Sequence, residues 1–221
     1  MHANKNSRKL GLDVTSKSGT LISMCNLYRL RTAEPIFLST FGAVSDPRYG
    51  GAIEKDYVSP GRPGYVVRED EGQRVLSVMN WGFPFQGRPV TNVRNYTSNF
   101  WLSALNAPYR RCLVPVTEFQ EWSVEPMPDT GKKKAFWFAV PSQPVFAFAG
   151  IWRPTEAEPV FSFLTCGYDG DAASHVVGAI HPKACPVVLH PEDYDRWLHA
   201  DLDDALSLAA PYPSQLLALS S

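Results

Sequence analysis

The stretch RCLVPVTEFQEW, residues 111–122, has the composition of a β-strand, because β-branched and aromatic residues dominate it. Alternation along an extended segment places Leu113, Phe119 and Glu121 on one face. The sequence therefore predicts a single strand over 111–122. A carboxylate at the end of such an apolar strand, directly before Trp122, is placed to lie at the mouth of a pocket.

Further elements follow outward from this stretch. Strands are predicted at 57–70, 74–83, 134–140, 145–152, 160–166 and 185–189. Helices are predicted at 33–42, 97–105 and 191–198. Short strands in hairpin succession favour an α+β fold, with a mainly antiparallel, barrel-like sheet core and a few flanking helices.

Composition limits the classes of protein to which this chain can belong. The 221 residues suit one domain, predicted over 24–221, whereas residues 1–23 are polar and aperiodic and are expected to be disordered or an artefact of an upstream start codon. The four cysteines form no C-x-x-C pair, which argues against a zinc site or a disulfide framework and favours a reducing, cytoplasmic location. No apolar run approaches the roughly 20 residues of a membrane helix. We expect a monomer without metal or cofactor.

Met24-Cys25 is the first candidate for chemistry. If the working chain begins at Met24, removal of that methionine gives Cys25 a free α-amine beside its thiol. The alternative is a small hydrophobic residue in the first strand. Net charge is −1, so any nucleic-acid site must be a local basic patch.

Two titratable residues and one polar pair are further candidates. Glu121 at a pocket mouth would have a raised pKa, and His181, in a loop before an apolar strand, suits acid–base work near neutral pH. Asn92 and Arg94 fall on the same side of an extended segment and suit binding an oxyanion or phosphate. Taken singly, each is also compatible with an ordinary surface position.

Six blocks occur together in one order: MCNLY (24–28), MNWGFP (79–84), NVR (92–94), RCLVPVTEFQEW (111–122), FAGIW (148–152) and HPKACPVVL (181–189). In these blocks the chain resembles the SOS-response-associated peptidase (SRAP) family, whose members shield abasic sites in single-stranded DNA. The resemblance extends from Met24 to about Leu198. It departs where Asn26-Leu27 replaces Gly-Arg, where Tyr96 replaces an acidic residue, and where Lys183 replaces arginine.

The resemblance implies a function and roles for individual residues. Cys25 would form a thiazolidine crosslink with an abasic site, with an associated autopeptidase activity that exposes its amine. Asn92, Glu121 and His181 would complete the catalytic group. DNA contacts would come from Arg29, Arg31, Trp81, Phe83, Arg94, Trp122 and Lys183, with Arg29 or Arg31 standing in for the missing arginine.

Two other function classes stay open on the sequence. One is a non-covalent module that binds single-stranded DNA and keeps Cys25 buried. The other is an N-terminal-nucleophile amidotransferase, in which Cys25 attacks a glutamine amide. Such enzymes usually have glycine after the cysteine, and this chain has Asn26 there.

Overall fold

The computed structural model describes residues 25–220, so the predicted extension over 1–23 lies outside the described residues. The strands in this range are β1 Tyr28–Arg29, β2 Val44–Ser45, β3 Tyr57–Val58, β4 Pro63–Asp70, β5 Gln73–Trp81, β6 Phe83–Phe85, β7 Arg88–Val90, β8 Asn92–Val93, β9 Arg111–Val116, β10 Glu118–Pro126, β11 Lys133–Ala139, β12 Phe146–Arg153, β13 Val160–Cys166, β14 Cys185–Pro186, β15 Val188–Leu189 and β16 Ala218–Ser220. The α-helices are α1 Glu34–Phe41, α2 Asn99–Leu105, α3 Tyr194–His199 and α4 Leu202–Leu206, and 3₁₀ turns cover Pro108–Arg110, Ala172–Ser174, Pro191–Asp193 and Ser214–Leu216.

Five strands close into a ring in the order β5, β4, β9, β12, β13. Four neighbouring pairs are antiparallel, and the ring is completed by a short parallel pairing of β13 with β5, in which Phe161 lies opposite Trp81. Strands β2, β8, β14 and β15 extend this sheet outside the ring. The predicted α+β fold with a mainly antiparallel, barrel-like core is therefore confirmed.

A second, fully antiparallel sheet has the order β16, β11, β10, β1, β3. Strand β1 lies between β10 and β3, with Tyr28 opposite both Phe119 and Val58. The segment that follows Cys25 is thus held inside a sheet, not at its edge.

The stretch 111–122 is not the single strand that its composition predicts. It divides at Thr117 into β9, in the ring, and β10, in the second sheet. Thr117 makes this corner: its N–H and its hydroxyl both donate to the Arg29 carbonyl, and its Oγ1 accepts from Arg31 N–H. The segment predicted over 185–189 divides likewise at Val187, because it pairs first with β13 and then with β12.

The predicted helices are present with shifted ends. Helix α1 ends at Gly42, whose left-handed φ of 58° terminates it as glycine allows. Helix α2 has Ser98 as N-cap, with Ser98 Oγ accepting from Phe100 N–H. The helix predicted from residue 191 begins as a 3₁₀ turn and becomes α-helical at Tyr194. No helix among residues 25–220 is long and apolar enough to cross a membrane.

Aromatic rings fill the space between the ring and the second sheet. Tyr28 packs edge-on against Trp81, with centroids 5.3 Å apart, and Trp81 stacks on Phe163 at 5.1 Å. Gly64 allows this packing, since a Cβ added there would meet the Tyr28 hydroxyl well inside van der Waals distance and Phe161 at 3.0 Å. This core supports the strand that follows Cys25.

Candidate active site

Cys25 lies at the start of the segment that leads into β1, and it is fully buried. Its backbone nitrogen donates a hydrogen bond to Glu121 Oε1 at 3.2 Å. Its thiol faces the Leu27 carbonyl at 3.9 Å. Burial, and then the nearby charge of Glu121, raise the pKa of the thiol well above its ordinary value. The sulfur is therefore held as a neutral thiol beside a carboxyl group that contacts the Cys25 nitrogen.

Glu121 and His181 form a buried acid–base pair. Glu121 comes from β10, and His181 comes from the loop before β14; His181 Nδ1 lies 3.8 Å from Glu121 Oε2. Burial raises the pKa of Glu121 well above its ordinary value, against the hydrogen bond from Cys25 that lowers it. Burial likewise lowers the pKa of His181. Both shifts favour the neutral forms, which leaves Glu121 as a carboxylic acid able to donate a proton and His181 as an imidazole with a ring nitrogen able to accept one.

Asn92 completes the group from a different sheet. It begins β8, which pairs in parallel with β13. Its Nδ2 donates to the Cys25 carbonyl at 3.4 Å and to Thr91 Oγ1 at 3.0 Å. The side-chain amide therefore holds the Cys25 carbonyl, while Glu121 holds the Cys25 nitrogen.

The structure thus brings together the four predicted catalytic residues, although they are distant in sequence. Three buried side-chain atoms in this group have no hydrogen-bond partner within residues 25–220: Asn92 Oδ1, Glu121 Oε2 and His181 Nε2. Buried polar atoms are normally paired, because leaving one unpaired costs roughly 1–3 kcal/mol. Three such atoms around one nitrogen and one thiol indicate a site that receives hydrogen-bonding groups from a ligand.

Cations border the site on the side of His181. Exposed Arg94 donates from Nη2 to the carbonyl of exposed Lys183 at 2.7 Å, so the two chain segments are joined there. The charges of Lys183, Lys133 and Arg94 all lower the pKa of His181, after the larger effect of its burial. The predicted contacts Arg94 and Lys183 therefore lie together at one basic rim, and Lys133, a residue absent from the predicted set, joins them.

Arg29 and Arg31 are both paired with one carboxylate of the protein. Both form ion pairs with Glu118 Oε2, at 2.7 Å and 3.3 Å. The Arg29 guanidinium also lies over the Trp137 ring, 3.7 Å from its centroid. Each arginine already faces a carboxylate of the protein, and the prediction that they hold DNA phosphates stays a prediction.

The aromatic residues predicted to contact bases separate into two groups. Trp122 is half-buried beside Glu121, and its Nε1 donates to Asn26 Oδ1 at 3.2 Å, which leaves it at the edge of the site. Trp81 and Phe83 are fully buried in the core. The prediction that they stack on bases is wrong for this conformation, because neither ring presents a face to solvent; the alternating pattern marked core positions instead.

Two further residues belong to the surroundings of the site and were absent from the predicted set. Tyr168 donates from its hydroxyl to the His181 carbonyl at 3.4 Å. Cys185 is close enough for its charge to raise the pKa values of Cys25 and Glu121 as a minor contribution. The sequence HPKACPVVL does not show that Cys185 lies near Cys25 and Glu121, because this proximity depends on the pairing of β14 with β13. No cluster of three or more metal-ligating side chains occurs between residues 25 and 220.

Solved structures with the same fold come from bacteria. A protein from Bordetella bronchiseptica matches with a TM-score of 0.71 at 19% identity, covering 89% of this chain and 98% of that one. A protein from Bacteroides thetaiotaomicron matches with a TM-score of 0.71 at 20% identity, covering 88% and 90%. A phage-related protein from Bordetella bronchiseptica matches with a TM-score of 0.66 at 18% identity, covering 89% and 93%. At these identities the likeness establishes the fold alone.

The sequence itself identifies the family. A search of curated proteins found no match. The family described as SOS response associated peptidase (SRAP) matches residues 24–221, which includes every block quoted above and all four residues of the site. The family's name denotes a peptidase of the SOS response. The chain belongs to the SRAP family.

Proposed function

We propose that this protein forms a covalent thiazolidine bond between Cys25 and the sugar of an abasic site in single-stranded DNA. The observation that carries the proposal is the position of the Cys25 nitrogen, 3.2 Å from the Glu121 carboxyl group. In the full sequence this nitrogen is an amide, because Met24 precedes it. In the active form it would be the α-amine of an N-terminal cysteine.

The chemistry favours an α-amine over a lysine. An abasic deoxyribose opens to an aldehyde, and a neutral amine attacks it. An α-amine has a pKa near 7.7–8.0, against about 10.4 for lysine, so a useful fraction is neutral at physiological pH. The attack forms a carbon–nitrogen bond and then expels water to give an imine. The Cys25 thiol then adds its sulfur to the imine carbon and its proton to the nitrogen, which closes the five-membered ring.

Glu121 and His181 would move the protons that these steps require. Glu121 lies within hydrogen-bond reach of the attacking nitrogen, so it would take a proton from the amine and return one to the departing hydroxyl. His181 Nε2, buried and without a partner within residues 25–220, would donate to the sugar ring oxygen as the ring opens. The raised pKa of Glu121 suits a group that holds a proton and returns it, whereas the lowered pKa of His181 disfavours its charged form, so the assignment of His181 as donor rests on the position of Nε2.

Asn92 and the basic rim would position the DNA. Asn92 holds the Cys25 carbonyl and keeps Oδ1 for the sugar. Arg94, Lys183 and Lys133 would bind the phosphates on either side of the lesion, and half-buried Trp122 would stack on a neighbouring base. This division places the covalent chemistry in the buried group and the electrostatic binding at the surface.

The peptidase activity in the family name fits the same site. We infer that the bond cleaved in this chain is the one between Met24 and Cys25, since its hydrolysis releases the α-amine. Translation from Met24 followed by removal of that methionine would give the same product. Either route ends with Cys25 at the N-terminus.

Two forms of the protein test the proposal. One is expressed from Met24, and intact mass verifies that it begins at Cys25. The other is the full chain with Met24→Leu, with intact mass verifying that the residues before Cys25 remain. Each is mixed with an oligonucleotide that carries one abasic site and with the intact oligonucleotide, and the products are separated on a denaturing gel. Cys25→Ala in the short form removes the thiol. Cys112→Ala is the matched control, because Cys112 is also a buried cysteine and lies in strand β9.

Only the short form and its Cys112→Ala variant should give a heat-resistant adduct, and only with the abasic strand. An equal yield from the verified long form would show that another nucleophile acts. Binding without any adduct would support the non-covalent module, and hydrolysis of glutamine by the short form would support the amidotransferase.

A further inference from the structure

Two cysteines that the proposed chemistry does not use lie side by side behind the site. Cys166 ends β13, Cys185 begins β14, and the two are directly opposed in antiparallel register. Their sulfur atoms are 3.7 Å apart. Opposed residues of antiparallel strands have Cα atoms about 4.5–5.5 Å apart, within the 4.4–6.8 Å range that a disulfide bridges. A bond between these sulfurs therefore requires rotation of side chains and no new strand pairing.

The two thiols differ in character. The hydrogen bond from Cys166 lowers the pKa of Cys185, burial opposes it, and the nearby Tyr168 hydroxyl lowers it again. The same interaction with Cys185, together with burial, raises the pKa of Cys166. Of the two thiols, Cys185 therefore gives up its proton more readily. Thiolates are the form that reacts with oxidants.

A surface cavity reaches Cys166, whose sulfur lies 3.7 Å from that of Cys185, a residue only 3% exposed. It has a volume of about 270 Å³ and is lined by Cys166 together with Arg94, Tyr96 and Tyr168, among others. The side chain of Cys166 is 6% exposed, whereas Cys25 and Cys112 are fully buried. A molecule as small as hydrogen peroxide fits such a cavity, since the share of volume of a water molecule is about 30 Å³.

We propose that Cys166 and Cys185 form an oxidisable dithiol, which peroxide converts into an intramolecular disulfide. The Cys185 thiolate attacks one peroxide oxygen, the O–O bond breaks, and a sulfenic acid and hydroxide result. The Cys166 sulfur then attacks the sulfenic sulfur, the S–S bond forms, and the leaving hydroxide takes the Cys166 proton as water. Two electrons pass from the two sulfurs to peroxide, and a dithiol reductant reverses the change.

The disulfide would act on the site through Tyr168. This residue donates its one hydroxyl proton to the His181 carbonyl at 3.4 Å, and it lies near Cys185, since burial and then the charge of Cys185 raise the pKa of Tyr168. When the Cys185 sulfur turns toward Cys166, the packing beside Tyr168 changes, and with it the position of the hydroxyl that supports the His181 loop. This consequence rests on the proposed function. We expect crosslinking to slow by up to about 100-fold, which is the cost of misplacing a catalytic group by about 1 Å.

The reduced protein, beginning at Cys25, is treated with hydrogen peroxide in its folded state and then alkylated. Non-reducing peptide mapping locates any disulfide, and the abasic-strand assay is run in parallel with and without later dithiothreitol. Cys166→Ala and Cys185→Ala are the test variants, Cys112→Ala is the control, and thermal unfolding verifies that each variant is folded. Peptide mapping of the unsubstituted protein shows whether Cys166 and Cys185 form a disulfide, even if a variant does not fold.

We expect one disulfide, between Cys166 and Cys185, in the unsubstituted protein and in Cys112→Ala. Alkylation of both thiols after peroxide, or a bridge from Cys185 to Cys25, would overturn the proposal. Crosslinking should slow reversibly in the unsubstituted protein and not in Cys166→Ala; equal loss in both would place the oxidation at Cys25 and overturn the effect on the site. If the disulfide forms but neither redox state gives an adduct, the proposed function fails and the dithiol stands.

Discussion

Replacing Glu121 with glutamine should separate the catalytic role of this residue from its effect on stability. Glutamine has the shape of the neutral acid and keeps an oxygen that accepts from the Cys25 nitrogen, now 3.2 Å from Oε1. It cannot exchange a proton. The substitution therefore removes the acid–base function and leaves the geometry of the site.

The expected loss of rate follows from two distances. Acid–base groups contribute about 100-fold to 10,000-fold, and a direct transfer requires about 2.6–3.2 Å. The Cys25 nitrogen lies at the outer edge of that range, and His181 Nδ1, at 3.8 Å from Oε2, lies beyond it. With only one direct transfer in this geometry, we expect the lower end, a loss of about 100-fold in crosslinking rate, or about 2.7 kcal/mol in activation free energy.

The stability of the same variant should change in the opposite direction. The folded-state pKa of Glu121 is raised above its unfolded value, so the folded protein holds this proton more tightly. Wild-type stability is then unaffected by this group below about pH 4.3, the ordinary pKa of glutamate, and decreases as pH rises above it. Glu121→Gln removes that decrease. The variant should match wild type in acid and exceed its stability at neutral and alkaline pH.

Single-turnover crosslinking at saturating abasic oligonucleotide and urea unfolding at several pH values measure the two effects. Glu118→Gln, in the same strand, is the control: burial raises the pKa of Glu118, but hydrogen bonds from Arg29 and Ser220 and the charge of Arg31 bring it below its ordinary value. That variant should crosslink near the wild-type rate and be less stable at neutral pH. A crosslinking rate equal to that of the wild type in Glu121→Gln would refute the catalytic role. A lower stability of this variant than of the wild type at pH 8 would refute the reasoning about burial.

Three more outcomes are expected. Gly64→Ala should lower the free energy of unfolding by about 1–3 kcal/mol, because the added Cβ meets the Tyr28 hydroxyl. Adding Tyr28→Phe to this variant should recover part of the lost stability. Gly167→Ala, at a position with open space around it, is the control and should have little effect in urea unfolding. Arg94→Ala should weaken binding to abasic and intact strands alike and flatten the salt dependence, measured by fluorescence anisotropy, and unchanged binding would remove it from the rim. Because the pKa of His181 is lowered in the folded state, wild-type stability should decrease as pH falls below about 6.5, and His181→Gln should abolish that part of the decrease.

The sequence was sufficient to predict the sheet-rich fold and to choose the four residues that the structure brings together, and insufficient to predict where the strands change sheet. Composition locates strands, but Thr117 ends one because its hydroxyl bonds to a segment nearly ninety positions away along the chain, and no local pattern contains that contact. The prediction that Trp81 and Phe83 contact DNA bases was wrong for the same reason. An aromatic residue in an alternating strand is equally suited to a core and to a binding face, and the ring closure between β5 and β13 decides between them.

The approach of Cys185 to the site also depends on tertiary structure. Its position, four residues after His181, gives no indication that its sulfur faces Cys166 across a strand pair. Glu121 was predictable, because a carboxylate that ends an apolar stretch is uncommon and its burial has a chemical consequence. Lys133 was not, since its relation to His181 arises only from the pairing of β10 with β11.

The placement of Cys25 between distant partners has a consequence for protein synthesis. The ribosome makes Cys25 early, and β1 cannot pair until residues 118–119 have emerged; His181 follows later still. In a chain translated from Met24, we expect an aminopeptidase to reach this end while the chain is nascent. In the finished fold Cys25 is fully buried, and a separate enzyme would have to unfold β1 to reach it. Under the proposed function, we therefore expect trimming by another enzyme to occur before β1 pairs and any cleavage after folding to be carried out by the protein's own site.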